Sequence, residues 1–297
     1  MKKRSLRVLA LSFIAATSLV VSCKKKADVV LPTIGGYNNS NEVAATNLKA
    51  HWTFDGTQKE DISGVSPAQA VGASYVTGIK GQGIGLTAGY LYYTGVTGLT
   101  SLTTTFSVSA WFQVQNNPTA AGGFPYEIFQ YVRANPAAAV NDAFGNINFT
   151  LEAGQYKHTP ATGYDTLIIH PTYRDQSGGL QDNTNNYPVT ATNLVKDTSG
   201  KWIKSTITYD PATHLFNVWA NGNKVGNYSD RGANVYTPSA STNAVIGAWI
   251  SNVTGSGVNA QGFTIPFTGS IDEVRVYNKA LTDAEISSLY QLELAGR

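Results

Sequence analysis

The chain has 297 residues, with 21 Lys or Arg against 19 Asp or Glu and a charged fraction of 13%. That length suffices for one large β-sandwich or barrel with its own core. The near-balance of charge excludes nucleic-acid binding through a basic body, and a single cysteine excludes a disulfide framework.

The first residues, Met1-Lys2-Lys3-Arg4-Ser5-Leu6-Arg7, are basic, and an apolar run from Val8 to Val21 follows. This is the layout of a secretory signal. The run is too short, and Lys24, Lys25 and Lys26 follow too closely, for a good membrane span. The sole cysteine closes Leu19-Val20-Val21-Ser22-Cys23, which resembles a bacterial lipoprotein cleavage site; the alternative is an ordinary secretory signal with a chance cysteine. On the lipoprotein reading residues 1–22 are the signal peptide, Cys23 carries the lipid, and 23–46 are a flexible polar tether. Loss of the leader leaves 17 basic and 19 acidic residues. The expected location is the bacterial cell envelope, lipid-anchored at the outer membrane, since no aspartate follows Cys23.

Strand patterns begin at Leu48, where Leu48, Ala50, Trp52 and Phe54 share a face and Asp55-Gly56 ends the run. Residues 57–73 read as a polar loop. Gly78, Gly81, Gly83 and Gly85 lack the Lys-Ser/Thr of a phosphate-binding loop, so they read as tight turns and close sheet approach. Tyr90 to Tyr93 is a short strand. Phe106 to Val114 is the clearest strand: Phe106, Val108, Ala110, Phe112 and Val114 make one apolar face. Trp111, on the opposite face, is either buried under a crossing connection or an exposed ligand platform.

Further strands are expected at 127–133, 144–151 and 166–173, then a long Asn- and Gly-rich loop at 175–188. Lys201 to Asp210 and His214 to Asn221 form a hairpin around Asp210-Pro211, and Asn221-Gly222 adds a second tight turn. Ala244 to Ile250 is another strand. The last strand alternates, with Ile271, Glu273, Arg275 and Tyr277 on one side and Asp272, Val274 and Val276 on the other. Thr282 and Glu285 make a capping box for a helix of about two turns, with Leu281 stapled to Ile286 or Leu289. About twelve short strands and one small helix argue for an all-β, two-sheet antiparallel jelly-roll sandwich.

The segment Gly269-Ser270-Ile271-Asp272-Glu273-Val274-Arg275-Val276-Tyr277-Asn278-Lys279-Ala280-Leu281 resembles the end of laminin-G-like, concanavalin A-like jelly-roll domains. His51-Trp52-Thr53-Phe54-Asp55-Gly56 resembles their opening strand, and Gly78-Ile79-Lys80-Gly81-Gln82-Gly83 their glycine-rich segment. Phe106 to Phe112 and the hairpin ending Asn221-Gly222-Asn223-Lys224 fit in the same order. The likeness covers residues 45–290 and sets one domain at 47–297. It implies recognition of a glycan or a surface protein, and calcium as a cofactor to consider, since related domains often bind it through carboxylates.

Asp272, a carboxylate set among valines, must be hydrogen-bonded, paired or metal-bound; it and Asp55 are the metal candidates, with backbone hydrogen bonding as the rival role. The Glu-x-Asp-x-x-Glu strand motif of jelly-roll glucanases is absent, and Glu127, Glu152 and Glu273 each lack such a companion. His51, His158, His170 and His214 stand in no metal-site spacing. Glycan binding remains, through aromatic faces and amides: Tyr131, Tyr156, Tyr173, Tyr187, Trp249 and Asn183 are the candidates. A protein-binding adhesin and a glycosidase with carboxylates from distant strands are the alternatives.

Overall fold

A computed structural model describes residues 31–114, 124–156, 166–184, 195–196, 200–226 and 230–297. The leader, Cys23 and Tyr187 lie outside the described residues, as does the side chain of Tyr156. Thr33–Arg297 is one compact unit.

Its strands are β1 (Leu48–Trp52), β2 (Gln69–Thr77), β3 (Gln82–Tyr93), β4 (Phe106–Gln113), β5 (Phe124–Tyr131), β6 (Ile147–Tyr156), β7 (Thr166–Ile169) and β8 (Thr172–Arg174). There follow β9 (Leu180–Asp182), β10 (Val195–Lys196), β11 (Trp202–Asp210), β12 (Leu215–Ala220), β13 (Asn223–Lys224), β14 (Ala244–Ile246) and β15 (Phe267–Tyr277), then helix α1 (Asp283–Leu294). They pair antiparallel along one path, β10-β7-β6-β5-β14-β3-β15-β4-β11-β12-β13, with β1 on β15, β2 on β3, and β8 on β6 and β9.

The path folds back on itself, so that its two halves stack as the expected antiparallel sandwich. Trp52 of β1 meets Phe129 of β5 at 5.9 Å, and Phe112 of β4 meets Phe149 of β6 at 6.5 Å. The period-2 faces decide what lies between them: Phe106, Val108, Ala110 and Phe112 from one half, Ile147, Phe149 and Leu151 from the other.

Helix α1 covers the outer face of the β15–β4–β11 half. Its capping box forms as expected, with Thr282 Oγ1 accepting the Glu285 N–H and Glu285 accepting the Thr282 N–H. The helix is longer than the two turns expected, 12 residues, because Leu289 and Leu292 continue an apolar stripe onto Leu281, Trp219 and Tyr277. Trp111 is buried beneath it, stacked on Tyr290 at 5.6 Å; of its two readings, the buried one holds.

Three expectations need correction. Residues 33–46 are not all spacer: Val43 is buried, and Ser40 and Asn41 accept hydrogen bonds from Arg275 at 3.1 and 2.9 Å. The loop expected at 57–73 gives way at Gln69 to β2, a nine-residue strand, and β3 runs for 12 residues rather than four. Finally, β15 does not alternate strictly. Glu273 takes φ +47° and the register against β4 shifts between Asp272 and Arg275. This bulge puts Ile271 with Val274 and Val276 in the main core and removes Asp272 from among the valines.

Candidate binding groove

The sheet half that carries β5, β6 and β14 has an outer face of unusual polarity. Along β6, Ile147, Phe149, Leu151 and Ala153 enter the core, so Asn148, Thr150 and Glu152 face outward. The segment after β14 crosses this face and seals part of it, with Ile250, Val253 and Val258 packed on Tyr90, Val132 and Val245. Beneath it runs an amide ladder. Gln130 Nε2 donates to Asn148 Oδ1 at 2.8 Å, Asn148 Nδ2 to Thr172 Oγ1 at 2.7 Å, and Gln130 Oε1 accepts the Ile250 N–H at 2.8 Å. Satisfied buried amides of this kind fix the surface above them.

Where the cover ends, a cavity of about 240 Å³ opens. One wall is aromatic. Trp249 stands edge-on to Phe144 at 5.1 Å and to Phe263 at 5.4 Å, and Phe263 is 40% exposed. Trp249 is itself buried, its indole N–H donating to the Pro125 carbonyl at 3.1 Å. Thr150 and Thr172 contribute hydroxyls, and Glu152 and His170 the charged side.

His170 lies between two carboxylates. Its Nδ1 is 2.6 Å from Glu152 Oε1 and its Nε2 3.1 Å from Asp182 Oδ2. Burial pulls the imidazole pKa down, but the hydrogen bonds and charges of Asp182 and Glu152 prevail and raise it to about 9. The ring is therefore an imidazolium at neutral pH. Both nitrogens donate to carboxylates, which leaves neither free to act as a base. Because the folded pKa lies above the ordinary histidine value, the stabilisation is fully present below about pH 6.5 and is lost as pH rises through about 9. The unfolding midpoint is expected to fall between about pH 7 and pH 10, and His170→Gln to flatten that fall by about 2 kcal/mol, discounted for the ring's partial exposure. Equal slopes by thermal denaturation would refute the clamp.

Behind Thr150 lies Glu127, fully buried, accepting the Phe149 N–H at 2.6 Å and the Thr150 hydroxyl at 2.9 Å. Burial pushes its carboxyl well above the usual range, against those two bonds.

Of the glycan-binding candidates among the described residues, only Trp249 reaches this cavity. Tyr131 and Tyr173 are corrections: both are fully buried, their hydroxyls donating to the carbonyls of Ser241 and Asn234 at 3.1 and 2.7 Å. On β5 and β8 their alternation points them inward, so neither offers a face to a sugar. Asn183 is also a correction, since it is 2% exposed and its amide donates to the Phe216 carbonyl at 2.7 Å. Asp182, Phe144 and Phe263 were missed, and Glu152 and His170 were weighed only as a catalytic carboxylate and a metal ligand. The polar alternation Asn148, Thr150, Glu152 against Phe149 and Leu151 was the signal available for this face.

Asp55 and Asp272, the two metal candidates, stand at the turn between β2 and β3. They grip one turn from two sides: Asp272 accepts the N–H groups of Ile79 at 2.8 Å, Lys80 at 3.2 Å and Glu273 at 2.8 Å, and Asp55 accepts that of Gln82 at 2.7 Å. Burial pushes the Asp272 carboxyl up to about 8, against the backbone N–H groups and with the Glu273 charge adding to the rise. Both oxygens of Asp272 and one of Asp55 thus accept backbone N–H groups. Among the described residues no group of three or more His, Cys, Asp or Glu could hold a metal. The glycines of this segment serve close approach, as expected: a Cβ on Gly81 would stand 2.0 Å from Asp55 Oδ1, and one on Gly78 2.4 Å from Asp272 Oδ2.

A folded-back antiparallel sheet, a C-terminal helix on one outer face and an aromatic-walled cavity on the other define a lectin-like jelly-roll domain. The chain belongs to the concanavalin A-like lectin/glucanases superfamily, whose Laminin_G_3 model matches residues 87–287. No curated protein matches it. Among solved structures, the binding domain of Paraclostridial Mosquitocidal Protein 1 superposes with a TM-score of 0.55 at 15% identity, over 82% of this chain and 52% of that one. The botulinum neurotoxin serotype G binding domain gives 0.57 at 14%, over 83% and 51%. The binding domain of botulinum neurotoxin DC in complex with SialylT gives 0.53 at 13%, over 86% and 52%. The chain thus spans about half the length of each, and the likeness is one of fold.

Proposed function

We propose that this chain is a glycan-binding module without catalytic activity, displayed on the bacterial outer membrane through lipid on Cys23. The observation that carries the binding role is the cavity of Trp249, Phe144 and Phe263 beside Glu152 and His170. Aromatic faces take the apolar side of a sugar ring, while fixed hydroxyls and a carboxylate take its hydroxyl groups. Similarity of fold to the binding domains of botulinum neurotoxins, one of them in complex with SialylT, supports the reading. The basic leader, apolar core and Cys23 support the anchor.

The test is a screen of the compact unit, Thr33–Arg297, against immobilised polysaccharides. Phe263 is the most exposed of the three rings, so Phe263→Ala is expected to weaken retention about tenfold with an unchanged unfolding midpoint. Retention of no glycan, or retention indifferent to Phe263, would shift the reading to a protein-binding adhesin.

One observation favours a hydrolytic reading. Glu127 pairs with Thr150 in the β5–β6 register and Pro125 with Glu152, so a carboxyl of raised pKa and one paired with His170 lie on the same face of neighbouring strands, a relation that resembles an acid and its partner carboxylate. Glu127 is buried behind Thr150, which favours binding over cleavage. New reducing ends in the same screen, abolished by Glu152→Gln, would establish the hydrolase.

A further inference from the structure

The cavity continues. Phe144 and Phe263 also line a second depression of about 400 Å³, and Arg174 and Gly178 connect that one to a third of about 470 Å³. Three depressions that share walls in sequence make a groove with an aromatic end and an arginine end.

At the arginine end Arg133 and Arg174 meet over one carboxylate. Asp142 Oδ2 is 3.3 Å from Arg133 Nη1 and also accepts from Arg174 Nη2. The Asp142 carbonyl takes Arg133 Nη2 at 3.1 Å, and the Gly178 carbonyl takes Arg174 Nη1 at 2.6 Å. The Nε–H of each arginine is buried and has no partner among the described residues. Burial, with the Arg174 charge adding to it and Asp142 opposing, lowers the Arg133 pKa. The other carboxylate on this wall, Asp175, is occupied by its own turn: it accepts the N–H groups of Ser177 and Gly179, the Ser177 hydroxyl and the Gln181 amide. Two guanidinium groups thus share one carboxylate beside an open depression. Both arginine side chains remain partly exposed, by 16% and 12%, and the planar fork of arginine matches a carboxylate best.

We infer that the arginine end is a subsite for the carboxylate of a uronic acid, so that the ligand of the groove is an acidic polysaccharide. This rests on the glycan-binding reading and adds the ligand's class. The neutral face of a sugar lies at Phe263, and the charged residue of the chain lies further along, toward Arg174.

The test follows the arginine Nε–H resonances of ¹⁵N-labelled Thr33–Arg297 during titration with glucuronate, glucose and acetate. Two arginine signals are expected to shift saturably with glucuronate below about 50 mM and to stay in place with glucose. Arg133→Gln and Arg174→Lys are each expected to weaken the response about tenfold or more. Arg174 also ties down Gly178 and Asp142, so Arg133→Gln carries the conclusion if the Arg174 variant fails to fold. No shift with glucuronate would overturn the inference. Equal shifts with acetate would overturn it too, marking a general anion hole. Retention of a neutral polysaccharide with either result would leave the lectin reading standing, which separates the two failures.

Discussion

Glu293→Ala is expected to cost about 3–5 kcal/mol of folding stability, which lowers the unfolding midpoint by roughly 10 °C. The side chain is fully buried on helix α1. Its Oε2 accepts the Trp111 indole N–H at 2.7 Å and the Lys204 ammonium, and its Oε1 accepts Arg275 Nε at 2.8 Å. Arg275 in turn donates to Glu273 at 2.6 Å, which His51 approaches at 2.9 Å and Lys80 at 3.3 Å. This charged layer lies between the β15–β4–β11 half and α1. Removing Glu293 strands Lys204 and the Nε of Arg275 in a space closed to water, and uncompensated buried charge is what makes such losses large. Burial already lowers the Lys204 pKa, with Glu293 opposing that fall, so the variant should also shed the lysine proton. Adding Lys204→Met to Glu293→Ala should recover part of the loss, since no unpaired ammonium then remains. Circular dichroism melts of the two variants decide it: a single variant as stable as the wild type would mean that water reaches the layer.

Beyond the buried reading of Trp111, that layer could not be read from the chain. Lys204 stands in Trp202-Ile203-Lys204-Ser205-Thr206, where period-2 alternation assigns it to an outer face but says nothing of what covers that face. The cover is α1, whose existence and cap were legible in Thr282 and Glu285 because capping is local. Where a helix docks is a long-range fact. The same division runs through the groove. Strands β4 and β6 announce their inward faces by alternation. The Glu152–His170–Asp182 clamp joins β6, the link between β7 and β8, and β9, with sequence separations of 18 and 12 residues, and no local spacing marks it. Tyr131 and Tyr173 were placed on a ligand surface because tyrosine suits sugars; their parity with Phe129 on one strand and with the core face on the other assigns them inward, and the hydroxyl of each found a carbonyl there. The bulge at Glu273 escaped for a different reason. A non-glycine residue at φ +47° leaves no signature in composition, and one extra residue reverses every facing after it.

Asp272→Ala is expected to cost roughly 3 kcal/mol, because three backbone N–H groups lose one acceptor at once. Those of Ile79 and Lys80 belong to the turn between β2 and β3, and that of Glu273 belongs to the bulge. One carboxylate thus pins a turn to the strand whose register it interrupts. Asp272→Asn keeps one acceptor oxygen and should lose about half as much. Gly78 offers an independent check, since a Cβ there would stand 2.4 Å from Asp272 Oδ2 and 2.8 Å from the Gln82 carbonyl carbon. Gly78→Ala should therefore destabilise the wild type, and the double variant with Asp272→Ala should cost less than the two added together, because the first clash disappears with the carboxylate. Strict additivity in denaturant melts would mean that the glycine is needed for the backbone contact alone. Calcium gives the opposing test of the same carboxylate. With its oxygens committed to N–H groups, millimolar calcium is expected to leave the wild-type midpoint unchanged; a rise that Asp272→Asn removed would show that the ion displaces those hydrogen bonds and that the turn is a metal loop after all.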